Sequence, residues 1–341
     1  MPCMIETLYI ITPGISIRQA GGLLILEQNH KVIRTLPIAT VGNLVLGRTV
    51  QISTQVMFSL IKQGTLIQFV DYKYNVIGTL GDNHTILPRL LWQAKYFQDK
   101  CIALAGAKYI VHRKIKAQIA ILDQYKKTRK MPMYTSVRST LYTLSKRINQ
   151  AKTIEGVRGI EGLASKTYFS VWKTILSEPW EFTGRNRNPS LDPVNTLLSY
   201  GYSFLEREVR ACLVTAGLDV RIGVLHSTNN RKDSFVFDMM DLFRQAVMDR
   251  FILKVLNCHM LKFNDFDISE KGCFMSKSST KKWIQIYEDY MMTPKKYFGA
   301  LSPRRWIQRE ITNFIKYLTD ISDDNITLDT DAKCISQCNE A

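Results

Sequence analysis

The strongest constraint on the fold of this chain is a change of hydrophobic period between residues 80 and 90. Before it, short apolar or alternating runs such as 8–11, 22–27 and 31–34 are separated by turn residues, which is typical of β-strands. After Pro88, apolar residues recur at helical spacing almost to the end. The sequence therefore predicts an α+β protein, with a small N-terminal β-rich domain followed by a larger all-α domain.

Turn and cap residues locate individual elements and domain limits. Gln28-Asn29-His30 predicts a hairpin connection, and Gly64 is placed to end a helix over 53–63. In the second part we expect long helices, one of them capped by Asp192; they cover residues 90–98, 103–127, 141–149, 161–176, 193–216, 233–256, 281–290 and 305–318. The predicted domains are residues 1–84, residues 85–318 and a loose acidic tail at 319–341.

The positive charge is concentrated in the middle of the chain. The net charge is +16, and residues 81–150 contain 14 Lys and Arg against 3 Asp and Glu. Such a block attracts polyanions, because each cation that neutralises a phosphate releases condensed counterions. A solvated helix face is the plainer alternative. An anionic membrane surface is a weaker one, because the block lacks the apolar insertion face of an interfacial helix.

Other features exclude several classes of protein. No apolar run approaches the roughly 18 residues of a membrane span, and the N-terminus lacks the pattern of a secretory signal. The seven cysteines are scattered and odd in number, which indicates reduced thiols and a cytoplasmic protein. No Walker-type or dinucleotide glycine motif and no nucleophile elbow is present.

Three polar clusters interrupt the apolar pattern of the helical domain. They contain Glu161 between two glycines, His226 after a short apolar run, and the pair Asp238 and Asp241 one helical turn apart. Taken alone, Glu161 is explained better as a carboxylate at a helix start, and a lone histidine is more often a packing or capping group. The aspartate pair among apolar neighbours needs a cation or the nearby Arg244.

Together, one imidazole and two or three carboxylates form a donor set dominated by hard oxygen. This set suits Mg²⁺ or Mn²⁺, and the histidine permits Mn²⁺ readily. A divalent cation held in this way can polarise a phosphodiester and activate an attacking water or sugar hydroxyl. Beside the basic block, the expected substrate is a nucleic-acid backbone. A structural zinc site at Cys258, His259 and Cys273 is a weak alternative, because paired C-x-x-C spacing is missing.

The ordered motifs resemble those of the universal CRISPR-associated (Cas) spacer-acquisition integrase and endonuclease family. The resemblance covers nearly the whole chain and rests on E-G, D-P-V-N-x-L-L-x-Y-G-Y, G-x-L-H and D-x-M-[DE]-x-F-R. These motifs stand here at Glu161-Gly162, Asp192 to Tyr202, Gly223 to His226 and Asp238 to Arg244. Family members often carry Glu at the position of Asp241 and Pro at the position of Gln245.

The resemblance implies a catalytic metal site made of Glu161, His226 and Asp241, with Asp238 as a further candidate ligand and Tyr202 near the site or in packing. It also implies a prokaryotic enzyme that joins the 3′-hydroxyl ends of short DNA fragments into the repeat array by transesterification and cleaves branched DNA. The expected partners are double-stranded and branched DNA, a second copy of the chain that binds through the N-terminal domain, and a small ferredoxin-like protein.

The basic residues predicted to contact the DNA backbone lie within the helix predicted at 103–127 and just after its end. They would track phosphates without reading base sequence; they are Lys114, Lys116, Lys126, Lys127, Arg129 and Lys130, with Arg244 added from the last motif.

Two rival functions stay open at the level of sequence. A stand-alone nuclease specific for branched DNA would use the same site with water as nucleophile. A non-catalytic architectural DNA-binding protein would retain the basic surface, and its carboxylates would be structural. The second rival is favoured if Glu161, His226 and Asp241 lie far apart in space.

Overall fold

The computed structural model separates into two compact units, residues 1–87 and 88–341. The structure describes residues 7–81, 87–186, 189–226 and 233–323, except the side chains of Lys277, Ser322 and Asp323. The β-rich start and the mainly helical remainder confirm the predicted α+β class.

In its described residues, the first unit contains two four-stranded sheets and one α-helix. In chain order its elements are β1 (Thr7–Ile10), β2 (Ile15–Ala20), β3 (Leu23–Gln28), β4 (Lys31–Pro37), β5 (Asn43–Gly47), β6 (Gln51–Ile52), α1 (Thr54–Lys62), β7 (Leu66–Val70) and β8 (Val76–Leu80). One sheet has the order β1-β5-β7-β8, in which only the β7–β8 pair is antiparallel. The other has the order β4-β3-β2-β6, in which only the β2–β6 pair is parallel.

The alternation of side chains explains why these runs form strands. Ile15 and Ile17 on β2 and Leu24 and Leu26 on β3 are buried, while their neighbours are not. They join residues of both sheets and of α1 in one apolar core. The predicted hairpin is confirmed, because β3 and β4 pair directly and the turn between them has positive φ angles at Asn29 and His30.

The second unit is a helical assembly around α3. Its elements are α2 (Leu87–Gln98), α3 (Lys100–Lys126), α4 (Tyr134–Gln150), α5 (Ile154–Phe169), α6 (Trp172–Ile175), α7 (Pro193–Thr215), α8 (Ser234–Phe243), a π-helical segment (Arg244–Asp249), α9 (Arg250–Asn257), β9 (Phe266–Ser269), β10 (Gly272–Met275), α10 (Lys277–Met292) and α11 (Pro303–Asp323). The long helix α3 packs against α4, α5, α8, the π segment and α11. A Cβ at Gly106 would lie 3.3 Å from Leu318, so this glycine permits α11 to approach closely.

Three expectations about the helical unit are corrected. Glu161 lies in the middle of α5 and not at a helix start. The helix predicted over 233–256 is continuous, but it is not α-helical throughout, because it changes to π-helical geometry over Arg244–Asp249. The antiparallel pair of β9 and β10 interrupts the helical pattern, because its four-residue strands are too short for a clear period.

Other sequence expectations have mixed outcomes. Helix α11 continues to Asp323 across the expected start of the acidic tail, and the rest of that tail, 324–341, lies outside the described residues. The cysteines in the described ranges, Cys101, Cys212, Cys258 and Cys273, are free thiols. In the same ranges, no helix combines the length and apolar content of a membrane span.

Candidate active site

Helices α3, α5 and α8 bring one cation and two carboxylates together in the helical unit. The ammonium Nζ of Lys114 lies 2.5 Å from Glu161 Oε1 and 3.0 Å from Asp241 Oδ1. The side chains of Lys114 and Asp241 are only 3% and 2% exposed, whereas that of Glu161 is 24% exposed. The two carboxylates therefore converge on the Lys114 ammonium, and solvent reaches this cluster at Glu161.

The charge on Asp241 is maintained by its neighbours. Burial works to raise the pKa of this carboxyl, but the positive charges of Lys114 and Arg244 outweigh it and hold the pKa below its ordinary value. Arg244, one turn further along the chain, places Nη1 3.0 Å from Asp241 Oδ1. His226 also lies close enough to act electrostatically on Asp241. Asp241 is thus an ionised oxygen donor in a buried position.

His226 is held by a short loop that folds around Asp238. The fully buried carboxylate of Asp238 accepts hydrogen bonds from the backbone N–H groups of Val224 (2.5 Å), Leu225 (3.0 Å) and His226 (2.8 Å). Its Oδ1 also lies 2.7 Å from the ring Nδ1 of His226. Because Nδ1 is engaged, Nε2 is the ring nitrogen left to bind a ligand.

Gly223 makes this loop possible. A Cβ at this position would lie 2.6 Å from Asp238 Oδ2, closer than real Cβ atoms approach other atoms, and 3.0 Å from the Ser234 backbone, which is a tight contact. The glycine of the G-x-L-H motif is therefore required by the approach of the loop to α8, and its effect on the site is to let Asp238 hold His226.

Two of the predicted site residues have buried partners. Asp238, predicted as a possible metal ligand, is fully buried, and both of its oxygens lie within hydrogen-bond distance of backbone N–H groups or the His226 ring. Lys114, predicted to contact the DNA backbone, is buried between the two carboxylates, because it lies on the inward apolar face of α3. Arg244 is also largely buried, with its side chain 17% exposed.

The remaining predicted DNA-binding residues lie at the surface. Lys116, Lys126, Lys127 and Lys130 are exposed and Arg129 is half-buried. All of them except Lys116 follow one another at the end of α3 and in the loop after it.

A second polar network, which the sequence did not reveal, lies behind Arg244. Its guanidinium lies 5.2 Å from the centre of the Tyr202 ring. The Tyr202 hydroxyl donates to Asp249 Oδ1 at 2.7 Å, and Gln245 Nε2 donates to Asp249 Oδ2 at 3.1 Å. Arg244, Gln245 and Asp249 all belong to the π segment, and such segments often occur at functional sites. Tyr202 therefore packs beside the site through Arg244 and Asp249.

The donor chemistry fits a divalent cation. Glu161 and Asp241 offer oxygens that already converge on a positive charge, and His226 offers Nε2. However, in the described part of the chain no three His, Cys, Asp or Glu side chains are close enough together to hold a metal ion. The predicted convergence is thus observed for the two carboxylates, with Lys114 between them, and a cation would have to displace its ammonium.

Comparison with known proteins identifies the family of the chain. The family model described as CRISPR associated protein Cas1 matches residues 8–289. The CRISPR-associated endonuclease Cas1 1 of Thermus thermophilus is 28% identical over 289 residues, which cover 84% of this chain and 87% of that protein.

Solved structures share the fold. A CAS1 protein from Thermotoga maritima matches with a TM-score of 0.80 and 24% identity, over 92% of this chain and 97% of that one. A casposase bound to integration product matches with a TM-score of 0.78 and 19% identity, over 93% of this chain and 91% of that one. The Cas6-RT-Cas1–Cas2 complex matches with the same TM-score and identity, over 93% of this chain and 35% of that one.

Removing the ammonium of Lys114 should strengthen the binding of divalent cations. We expect Lys114→Met to show a larger rise of melting temperature with added MnCl₂ than the wild type, because Mn²⁺ no longer competes with Nζ; tenfold tighter binding corresponds to about 1.4 kcal/mol. Differential scanning fluorimetry over a MnCl₂ titration measures this. The exposed Lys116→Met, two residues along the same helix, is the control and should behave as the wild type. Equal shifts in all three proteins would contradict the assignment.

The titration of Asp249 should be visible in the pH dependence of stability. Burial raises its pKa from 3.8 to about 6, against the hydrogen bonds from Tyr202 and Gln245. The folded protein therefore holds a proton that the unfolded chain releases, and the stability that this proton provides is lost as pH rises from about 4 through 6.

Asp249→Asn removes this titration. We expect the unfolding free energy of the variant, relative to the wild type, to increase by up to about 3 kcal/mol between about pH 4 and pH 7. Urea unfolding followed by fluorescence at both pH values measures it, and the same change at exposed Asp267 should give a smaller difference. A pH dependence identical in variant and wild type would contradict the buried, protonated carboxyl.

Proposed function

The chain belongs to the Cas1 family, and we propose that it is a metal-dependent DNA endonuclease and integrase that inserts new spacers into a CRISPR repeat array. The observation that carries the proposal is the meeting of Glu161 and Asp241 around one positive charge, with His226 oriented nearby. The names of the relatives support it: the Thermus protein is a CRISPR-associated endonuclease, and the casposase is a structure with its integration product.

In this proposal Glu161, Asp241 and His226 would hold Mg²⁺ or Mn²⁺. When bound, the cation would supply Lewis acidity at the phosphodiester and lower the barrier for attack by a 3′-hydroxyl or water. Asp238 acts as a positioning residue, because its contact with Nδ1 leaves Nε2 as the lone-pair donor. Lys114 balances the two carboxylates while no other cation lies there. Arg244 keeps Asp241 ionised and adds positive charge beside the reacting phosphate.

The reaction would join the 3′-hydroxyl ends of a short DNA fragment to the repeat. In each joining step the fragment's oxygen forms a bond to a phosphorus of the repeat, and the original ester oxygen leaves with a proton as a new 3′-hydroxyl. Hydrolysis of branched DNA uses water as the nucleophile at the same site. Both reactions would depend on the same divalent cation, which the two carboxylates and the imidazole would hold.

The proposed partners are DNA, a second copy of the chain and a small ferredoxin-like protein. The Cas1–Cas2 complex with the same fold supports a protein partner. For the homodimer, support comes from the edge strand β4, on which Val32 and Ile33 are 55% and 50% exposed. An exposed apolar edge strand is a surface that another chain can cover. The N-terminal unit would therefore carry the dimer contact.

Two other functions need separate tests. A stand-alone nuclease for branched DNA would cleave but would not join an oligonucleotide with a free 3′-hydroxyl into a plasmid that carries a repeat. An architectural DNA-binding protein would bind without any chemistry that depends on a divalent cation. Strand joining therefore distinguishes the proposal from both.

Glu161→Gln should remove cleavage and joining while leaving DNA binding. The substitution keeps size and hydrogen bonding but removes one of the two negative charges that gather a cation, so we expect a loss of about a hundredfold or more in rate. Cleavage of branched DNA and strand joining in MnCl₂ measure activity, and fluorescence anisotropy in EDTA measures binding. Glu155→Gln, an exposed residue on the same helix α5, is the matched control. Wild-type rates in Glu161→Gln would reject the assigned site.

The exposed cations at the end of α3 should contribute to affinity through phosphate contacts. We expect the triple variant Lys126→Ala, Lys127→Ala, Lys130→Ala to lower the slope of log affinity against log salt concentration by up to about 3. Anisotropy titrations of one duplex at several NaCl concentrations give the slope. A slope equal to that of the wild type would remove these lysines from the DNA interface.

A further inference from the structure

The loop at residues 217–226 carries His226 and contains no helix or strand. It starts at Gly217, whose φ angle of 73° turns the chain away from the end of α7. Parts of the loop are buried, among them Val224 and Leu225. A buried backbone N–H or C=O group needs a hydrogen-bond partner, and this loop belongs to no helix or sheet that could supply one. Its path therefore depends on groups that other elements provide.

The side-chain amide of Gln93 on α2 provides three of these partners. Its Oε1 accepts a hydrogen bond from the backbone N–H of Asp219 at 2.9 Å. Its Nε2 donates to the backbone oxygens of Asp219 at 2.8 Å and of Ile222 at 2.9 Å. Gln93 is 0% exposed. A primary amide has one acceptor atom and two donor hydrogens, so this single side chain satisfies three backbone groups of the loop at once.

Helix α2 is in turn packed against α8, the helix that carries the aspartate pair. Phe97, one turn after Gln93 on the buried side of α2, contacts Phe235 with ring centres 5.2 Å apart. The backbone N–H of Phe235 donates to the Val220 carbonyl oxygen at 3.0 Å. Both α2 and α8 therefore hold the part of the loop at 219–222.

The position of residues 219–222 limits what the rest of the loop can do. Ile222 directly precedes Gly223, at which an added Cβ would lie 2.6 Å from Asp238 Oδ2, so the backbone has little room to shift there. The N–H groups of residues 224–226 bond to the same carboxylate, and the Nδ1 atom of His226 lies 2.7 Å from it. Hydrogen bonds weaken steeply when their distance or angle changes. A displacement at 219–222 would therefore disturb the bonds that orient the imidazole.

We propose that Gln93 is a positioning residue for His226. Its amide sets the path of the loop at 219–222, and this path sets the direction in which the Nε2 atom of His226 points. That Nε2 binds a divalent cation rests on the proposed function. That Gln93 holds the loop rests on the three hydrogen bonds and on the burial of the amide.

Hydrogen exchange in EDTA tests the hold on the loop without any chemistry. Gln93→Met keeps the length of the side chain but can make none of the three hydrogen bonds. We expect the amides of Val224 and Leu225 to exchange about tenfold faster than in the wild type, while the buried amides of α3 keep their rates, because the loop opens locally. Gln98→Met, the same change at an exposed position of α2, is the control and should leave both sets of rates unchanged.

A milder variant keeps the test decisive if Gln93→Met folds poorly. Gln93→Asn retains a primary amide that is one methylene shorter, so fewer of the three bonds can form. The amides of Val224 and Leu225 should exchange faster than in the wild type and more slowly than in Gln93→Met. Melting temperatures of all variants separate a local opening from a general loss of stability.

A double-mutant cycle with His226→Ala tests whether Gln93 acts through the imidazole. Isothermal titration calorimetry with MnCl₂ should show that Gln93→Met weakens Mn²⁺ binding about tenfold when His226 is present. The same substitution in the His226→Ala background should cause no further loss, because the group on which it acts is absent.

Wild-type exchange at Val224 and Leu225 in both Gln93 variants would overturn the proposal. An equal loss of Mn²⁺ affinity with and without His226 would also overturn it, since the effect would then be general. Faster exchange of the loop amides in a protein whose wild type neither cleaves nor joins DNA would support the hold of Gln93 on the loop and refute the proposed function.

Discussion

A buried ammonium between two carboxylates is the interaction on which the site depends. Lys114 lies on the inward face of α3, where a lone charge would be strongly unfavourable, and Glu161 and Asp241 compensate it from two other helices. The same arrangement fixes the two carboxylates opposite each other, although like charges would otherwise repel. The ion pairs thereby hold together three helices that are distant in sequence. As a result, the two carboxylates that could bind a cation have fixed positions before any ligand binds.

Other buried polar groups around this pair of carboxylates orient His226 and Arg244. Both carboxylate oxygens of Asp238 accept hydrogen bonds from the loop that carries His226. Gly223 has to lack a side chain, because a Cβ there would collide with Asp238 Oδ2. On the opposite side, Arg244 lies between Asp241 and the ring of Tyr202. This arginine is the first residue of the π segment and follows Asp241 by three positions.

Much of the fold followed from the sequence, because hydrophobic period and turn residues are local signals. The β-to-α change, the 28–31 hairpin and the cap at Asp192 are all present in the structure. The role of Lys114 is not a local property, since its partners lie far along the chain. One signal was available: Lys114 continues the buried row that includes Ala107, Ile110 and Val111 on α3, so its spacing indicated an inward lysine. Charge counting alone grouped it with the surface lysines. The π segment and the network at Asp249 depend on packing and left no pattern of their own.

The proposed site requires that a divalent cation replace the Lys114 ammonium between Glu161 and Asp241. Anomalous diffraction from crystals of the protein soaked in MnCl₂ tests this directly. We expect an anomalous peak for a Mn²⁺ ion bound by Glu161, Asp241 and the Nε2 atom of His226, with Lys114 moved away from both carboxylates. Crystals that contain Mn²⁺ elsewhere, while Lys114 still bridges the two carboxylates, would contradict the proposed site.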